Sequence, residues 1–243
     1  DSTAQMKKIL MLKLIWFGCL AAMLLNVGRI PAAELSSESE PQLDPIQQMV
    51  SEDRVALVIG NADYKQWPPL ANPVNDAQAM AQALKRFGFA VTLVENGSKE
   101  QMENAIRTFG AQAKRGGVGL FFYAGHGSQY RGQNYLIPVN ADILSEEDIE
   151  ARSVSAGSVL NRMGKANNRL NIVILDACRT LPIRRVDRDA ASGLAPMKAS
   201  GTLIAYATAP NFVAKDGKGN NSPYTKGLLE AINKHPGLKL EDL

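Results

Sequence analysis

Five continuously apolar runs alternate with amphipathic helical patterns along most of this chain. The runs are RVALVIGN (54–61), AVTLVEN (90–96), GVGLFFYAG (117–125), LNIVILDAC (170–178) and GTLIAYATA (201–209). Strands that are apolar on both faces are typical of parallel sheets whose two faces are both covered. The sequence therefore predicts an α/β fold, a mostly parallel sheet with helices on both faces.

Helical patterns occupy segments between these runs. Asn72 precedes Pro73 at the start of the first one, an arrangement typical of a helix cap followed by the first turn. Ser98 opens the second helix and Ser222 the last. The predicted helical ranges are 72–89, 98–114, 155–167 and 222–234.

Length and composition limit the class of protein. The chain has 243 residues, of which 45% are hydrophobic and 21% charged, enough for one domain with a sizeable core or at most two small ones. Its formal charge of +3 resides in the first 33 residues, and the remaining chain holds 23 basic and 23 acidic residues. Because this body is neutral, it lacks the basic footprint of a nucleic-acid-binding protein, and we expect no nucleic-acid partner.

The first 33 residues have the layout of a secretory signal peptide. Lys7 and Lys8 form a basic start, an apolar stretch runs from 14 to 25, and small residues stand at 32 and 33. We therefore expect export to the periplasm or the extracellular space. An uncleaved membrane anchor is the alternative, and only then do we expect contact with a membrane.

The rest of the chain divides by composition. Residues 34–53 are acidic, Ser-rich and interrupted by proline, which indicates an exposed linker. We expect one domain over 54–236 and a tail over 237–243, which is cut short if the chain is a fragment.

Cys178 and His126 are the side chains that most indicate chemistry. Cys178 ends the fourth apolar run and His126 follows the third, and parallel strands present their carboxyl ends at one edge of a sheet. After removal of a signal peptide containing Cys19, Cys178 is the one remaining cysteine, either an inert core residue or a reactive thiol. Two histidines and one such cysteine are too few for a zinc site, so we predict no metal.

This pair has the composition of a cysteine nucleophile with its base. An imidazole favours the thiolate and transfers protons during attack and during release of the leaving amine. Backbone N–H groups of Gly127 and Cys178 are candidates for an oxyanion hole, and we expect Gly125 and Gly127 to let the backbone approach a substrate closely. Two such side chains at one sheet edge favour chemistry over a buried cysteine and a hydrogen-bonded loop histidine.

Two motifs carry a family resemblance. YAGHG (123–127) followed by LDACR (175–179) resembles the caspase-like cysteine peptidases, most closely the bacterial metacaspases called orthocaspases. GNADY, NDA and SPYTKGLL extend the likeness from about Arg54 to Lys234. The resemblance implies a caspase-like fold, a catalytic dyad of His126 and Cys178, and cleavage of peptide or protein substrates after Arg or Lys.

Two carboxylates bear on that specificity. Asp176 stands two residues before Cys178, so the period of a strand places both on one face, where a carboxylate favours a cationic ligand. The resemblance implies that Asp76 joins Asp176 in binding the basic side chain of the substrate. The first turn of a helix, where a negative charge is favourable, is an alternative explanation for Asp76.

The segment 179–201, between the fourth and fifth runs, is long, basic and poor in periodic apolar residues. It resembles the processing loop of caspase-like enzymes. If the pocket prefers basic residues, this loop is a substrate tethered beside its own active site. We expect self-cleavage after Arg184, Arg185 or Arg188.

The resemblance implies no organic cofactor. Calcium activation is common among metacaspases and depends on clustered carboxylates. The acidic residues of the corresponding segment favour an exposed helix start over a calcium site; they are Asp142, Glu146, Glu147 and Asp148.

Two other functions compete with a peptidase. One is a catalytically weak caspase-like module that binds or scaffolds other proteins, since a fold alone never fixes a function. The other is a cysteine hydrolase of the same fold with a non-basic substrate. The presence of both Cys178 and His126 argues against the first, and Asp176 argues against the second.

Overall fold

The computed structural model describes residues 53–113, 117–179, 194–207 and 219–234, without the side chains of Cys178 and Arg179. The expected signal peptide (1–33), nearly all of the linker (34–53), the tail (237–243) and the expected cleavage points Arg184, Arg185 and Arg188 lie outside these residues. The strands are β1 (Arg54–Gly60), β2 (Ala90–Glu95), β3 (Val118–Tyr130), β4 (Gln133–Leu136), β5 (Val154–Ser155), β6 (Leu170–Arg179) and β7 (Thr202–Tyr206). The helices are α1 (Pro73–Arg86), α2 (Lys99–Ala113), α3 (Glu146–Arg152), α4 (Ala156–Gly164) and α5 (Pro223–Lys234).

Five of the strands form a parallel sheet, as predicted. Their order is β2, β1, β3, β6, β7, and every neighbouring pair is parallel. The two short strands β4 and β5 extend the sheet antiparallel beyond the carboxyl half of β3. The expected class, a mostly parallel α/β sheet, is confirmed, and the antiparallel extension is an addition to it.

The third strand is longer than the sequence indicates. The apolar run predicts an end at residue 125, with His126 after the strand, whereas β3 continues to Tyr130. The extension exists because residues 127–130 pair with β4, while pairing with β1 stops at Gly60 opposite Ala124. His126 therefore lies inside a strand, at the point where one neighbouring strand has ended and another begins.

Helices cover both faces of the sheet. On one face, α2 and α4 pack side chains such as Ile106 and Leu160 against Phe121 of β3. On the other face, α1 and α5 pack side chains such as Met80 and Ile232 against the alternate residues of the same strands. Within the part of the chain that the structure describes, no helix is long and apolar enough to cross a bilayer.

The helices begin where the sequence predicts, but the hydrogen bonds at their starts differ from one helix to another. Helix α1 begins directly after Asn72, but the Asn72 side chain makes no capping hydrogen bond, because its backbone is helical (φ −104°, ψ −23°) instead of extended. Ser98 does cap α2, since its Oγ accepts the Gln101 N–H at 3.3 Å while Gln101 Oε1 accepts the Ser98 N–H at 2.8 Å. At α5, Ser222 Oγ accepts the Thr225 N–H at 3.0 Å.

Candidate active site

The parallel pairing of β3 with β6 brings the two candidate catalytic residues together. His126 is the register partner of Cys178, and Ala124 is the partner of Asp176. Adjacent strands of a sheet lie about 4.8 Å apart, so residues paired in this way are near neighbours. Two positions 52 residues apart in sequence are thus side by side at the carboxyl end of the sheet.

The imidazole of His126 is enclosed by the loop that follows β1. His126 is only 2% exposed. Its Nε2 lies 2.8 Å from the carbonyl oxygen of Pro68, and its ring lies 4.4 Å from the ring of Tyr64 and 5.4 Å from that of Trp67. Because a carbonyl can only accept, Nε2 carries the proton in the neutral ring, which leaves Nδ1 as the nitrogen that takes up or releases a proton.

The side chain of Asn96 holds the loop that follows β1. Asn96 Oδ1 accepts the N–H groups of Ala62 and Asp63 at 2.9 and 3.1 Å, and its Nδ2 donates to Asp63 Oδ2 at 2.8 Å. Asn96 reaches both groups from a left-handed backbone conformation (φ +48°), which asparagine tolerates better than most residues. These hydrogen bonds fix the loop whose residues Tyr64 and Pro68 contact His126.

Gly125 leaves room for the hydroxyl groups of Tyr64 and Tyr123. Its φ is +151°, and a Cβ built on it would lie 2.6 Å from the Tyr64 hydroxyl, 2.8 Å from the Tyr123 hydroxyl and 3.1 Å from the Asn61 carbonyl oxygen. The sequence suggests that Gly125 accommodates a substrate. The structure shows that the close approach is made by two tyrosine hydroxyls of the protein itself.

The two candidate carboxylates converge on the start of α5. Asp176 Oδ2 accepts from the Ser222 hydroxyl and, at 2.8 Å, from Thr225 Oγ1. Asp76 Oδ1 accepts from Asn221 Nδ2 at 2.8 Å and from the Ser222 N–H at 3.0 Å. Ser222 therefore links the two carboxylates through its hydroxyl and its backbone.

The two-residue period of strand β6 explains why the Asp176 side chain reaches the start of α5. Ile172 and Ile174 lie in the core between the sheet and helices α1 and α5, and Asp176 is the next residue of that row. Asp76 is in the first turn of α1, and its hydrogen bonds to Asn221 and Ser222 show that it also joins two elements. Asp176 is 8% exposed and Asp76 1%, so Asp176 is the more accessible of the two.

The negative charge of Asp176 affects a neighbouring phenol. The pKa of Tyr224, in the first turn of α5, is raised above its usual value, chiefly by burial and further by the charge of Asp176. The carboxylate thus acts electrostatically on the start of α5 as well as through hydrogen bonds. The same negative charge would attract a bound guanidinium or ammonium group.

Gly127, a candidate for the oxyanion hole, lies beside a buried stretch near the end of the expected processing loop (179–201). A Cβ on Gly127 would lie 3.2 Å from Leu194 Cδ2 and 3.3 Å from Ala177 Cβ. Asn134 of β4 holds this segment, because its amide donates to the Ala195 carbonyl and accepts the Ala195 N–H, both at 2.7 Å. The sequence indicates no packed element in 179–201, yet residues 194 and 195, near the end of that segment, are buried.

The acidic segment forms a helix start, as expected. Asp148 Oδ2 accepts the N–H groups of Leu144 and Ser145, both at 3.0 Å, and these bonds lower the pKa of Asp148. Glu147 is exposed, whereas Asp142, Glu146 and Asp148 are half-buried. Among the described residues, no group of three or more His, Cys, Asp or Glu side chains is arranged to hold a metal ion.

Sequence reasoning alone missed much of the surroundings of His126 and of the carboxylates. It assigned no role to the loop residues Tyr64, Trp67 and Pro68, although Tyr64 belongs to the GNADY motif, nor to Asn221 and Thr225. These contacts join elements far apart in sequence, so periodicity does not predict them. The pairing of aromatic residues with proline in YKQWPP is the one local sign of a packed loop.

Comparisons with known proteins bear on the family of this chain. The sequence model of the Peptidase C14 family, the caspase domain, matches residues 53–243. The chain is 30% identical over 132 residues to the mucosa-associated lymphoid tissue lymphoma translocation protein 1 of Homo sapiens, and equally to its homolog in Mus musculus. These alignments cover 54% of the chain and 16% of each relative, so the chain spans a small part of their length.

We predict that Gly125→Ala destabilises the fold, because the added methyl group would collide with the Tyr64 and Tyr123 hydroxyls. The new Cβ forces the Tyr64 and Tyr123 hydroxyls to move, and overpacking of this kind costs about 1–3 kcal/mol of unfolding free energy. Gly132→Ala is the control, because Gly132 also has a positive φ (+76°), but a Cβ added there would meet no neighbouring atom of the described residues within 4 Å. Denaturant unfolding measures both variants, and equal losses of stability would contradict the contact.

Proposed function

This chain belongs to the caspase-domain family of peptidases, and from that premise we propose that it is a cysteine endopeptidase cutting after Arg or Lys. Cys178 is the nucleophile and His126 transfers protons to and from the reacting groups. The observation that carries the proposal is the register of β3 against β6, which sets His126 directly opposite Cys178.

The proposed reaction proceeds through an acyl-enzyme. The Cys178 thiolate attacks the carbonyl carbon of the peptide bond, and a new S–C bond forms. His126 gives the proton at Nδ1 to the leaving amine nitrogen as the C–N bond breaks. His126 then takes a proton from water, whose oxygen attacks the acyl carbon and releases the thiolate and the carboxylic acid.

The Pro68 carbonyl supports this use of Nδ1. It holds Nε2 as a donor at 2.8 Å, so the imidazole keeps one orientation while Nδ1 changes its protonation state. A partial negative charge on that carbonyl also favours the imidazolium that forms during the reaction. The N–H groups of Gly127 and Cys178 are the proposed donors to the oxyanion.

The proposed specificity pocket is the carboxylate pair at the start of α5. The groups that donate to the pair include an amide side chain, a backbone N–H and two hydroxyls. Asp176, the more exposed one, contacts the basic side chain of the substrate, and Asp76 adds a second negative charge behind Ser222.

The proposal also includes three expectations from the sequence. They are export of the protein, function without an organic cofactor, and self-cleavage after Arg184, Arg185 or Arg188. Support for self-cleavage comes from sequence and from the position of Leu194 beside Gly127, which brings the end of that loop next to the proposed oxyanion hole.

We predict that the purified protein cleaves fluorogenic peptides with Arg or Lys before the cut bond, and not matched peptides with a neutral or acidic residue there. Cys178→Ala abolishes turnover and His126→Ala lowers kcat/KM by at least about a thousandfold, since base and nucleophile act as a unit. The control is His235→Ala, which replaces the other histidine of the chain. Full activity of Cys178→Ala would exclude the dyad, and cleavage of only neutral peptides would point to the non-basic hydrolase.

We also predict that Asp176→Asn weakens selection for Arg. Loss of one charged partner of a buried guanidinium costs about 1–3 kcal/mol, or roughly 5-fold to 150-fold in kcat/KM for the Arg peptide. Asp76→Asn acts in the same direction with a smaller effect because Asp76 is less exposed. Glu100→Gln, an exposed carboxylate in the first turn of α2, is the control. An unchanged ratio of Arg to neutral cleavage in Asp176→Asn would remove Asp176 from the pocket.

A further inference from the structure

The backbone of β3 at His126 lies in a gap between two strand pairings. Pairing with β1 ends opposite Ala124, and pairing with β4 begins at Gly127. A buried backbone N–H without an acceptor is costly, so a strand in such a gap requires hydrogen-bond partners from elsewhere. The Ile137 N–H, just after β4, donates to the His126 carbonyl at 3.0 Å, and two tyrosine hydroxyls supply the other partners.

Tyr64 and Tyr123 bond the two polar backbone groups of His126. The Tyr64 hydroxyl accepts the His126 N–H at 2.8 Å, and the Tyr123 hydroxyl donates to the His126 carbonyl at 2.7 Å. The two hydroxyls lie 3.4 Å apart. Both tyrosines are buried, Tyr64 being 7% exposed and Tyr123 fully enclosed.

Tyr64 contacts His126 twice, through two different chemical groups. Its hydroxyl bonds the backbone, and its ring packs against the imidazole with centroids 4.4 Å apart at 51°. Tyr64 therefore holds both the imidazole and the backbone of His126, whereas Pro68 and Trp67 contact the imidazole. A phenylalanine at this position would keep the ring contact and lose the backbone bond.

We propose that Tyr64 is a positioning residue for His126, whose hydroxyl fixes the strand at His126 while its ring fixes the imidazole, so that Nδ1 stays aligned with Cys178. The inference rests on the proposed function, in which His126 transfers the proton. The side chain of Tyr64 bonds Tyr123 and contacts His126, so it acts on the reacting groups through His126.

The protonation of Tyr64 suits this role. Burial, with the adjacent Tyr123, raises the pKa of the Tyr64 phenol well above its ordinary value. The hydroxyl therefore remains neutral throughout the pH range in which an imidazole titrates. As a neutral hydroxyl it holds the His126 N–H without adding a charge beside the imidazole.

The test is Tyr64→Phe in the full chain, compared with Tyr130→Phe as the matched control. Tyr130 is the last residue of β3, four residues beyond His126, and its ring lies 5.0 Å from the Arg131 guanidinium. Misplacement of a reacting group by a fraction of an ångström lowers kcat rather than binding, so we expect kcat of Tyr64→Phe to fall about tenfold. KM for the Arg peptide stays within about twofold, and Tyr130→Phe matches wild type in both constants.

A second readout does not depend on turnover. The rate at which iodoacetamide alkylates Cys178, followed by mass spectrometry of the Cys178 peptide across pH, reports the thiolate population and its dependence on His126. We expect the profile of Tyr64→Phe to lie between those of wild type and His126→Ala. Circular dichroism establishes that each variant is folded, and Tyr64→Leu, which removes both the hydroxyl and the ring, serves if Tyr64→Phe does not fold.

The outcomes separate the two claims. Wild-type kcat and a wild-type alkylation profile in Tyr64→Phe, or in Tyr64→Leu if it is used instead, would overturn the positioning role while leaving the dyad intact. A raised KM with unchanged kcat would also overturn it, because that result assigns Tyr64 to substrate binding. If wild type and His126→Ala share one alkylation profile and neither cleaves peptides, the dyad itself is wrong and the inference fails with it.

Discussion

The parallel pairing of β3 with β6 is the constraint on which the rest of the site depends. It is set by buried apolar residues, Phe121 and Tyr123 on one face and Leu120 and Phe122 on the other, so a slip of one residue would turn every one of these side chains to the wrong face. The same register sets His126 opposite Cys178 and Ala124 opposite Asp176. The core of the protein therefore determines the alignment of the proposed dyad.

Two sets of contacts support this pair of strands. The loop after β1 brings Tyr64, Trp67 and Pro68 to His126, and the start of α5 brings Ser222 and Thr225 to Asp176. In the proposed mechanism the first support serves proton transfer and the second serves substrate selection. Substitutions in one support should accordingly change kcat, and substitutions in the other should change the preference for Arg.

The strands and the positions of His126 and Cys178 at the sheet edge can be predicted from sequence because each depends on a local pattern. Continuously apolar runs predict buried parallel strands, and a histidine and a cysteine at the ends of two such runs predict a shared sheet edge. The extension of β3 to Tyr130 escapes this reasoning, since it depends on pairing with the short polar strand β4. The partners of His126 and Asp176 escape it too, because hydrogen bonds between residues 46 to 62 positions apart follow no sequence period.

The most direct test of the proposed mechanism is a crystal structure of the protein inactivated by a peptidyl-arginine chloromethyl ketone. The mechanism predicts a bond from Cys178 Sγ to the methylene carbon of the inhibitor, His126 Nδ1 facing that sulfur, and the guanidinium within hydrogen-bond distance of the Asp176 carboxylate. An adduct on another residue, or a guanidinium bound away from Asp176 and Asp76, would contradict it.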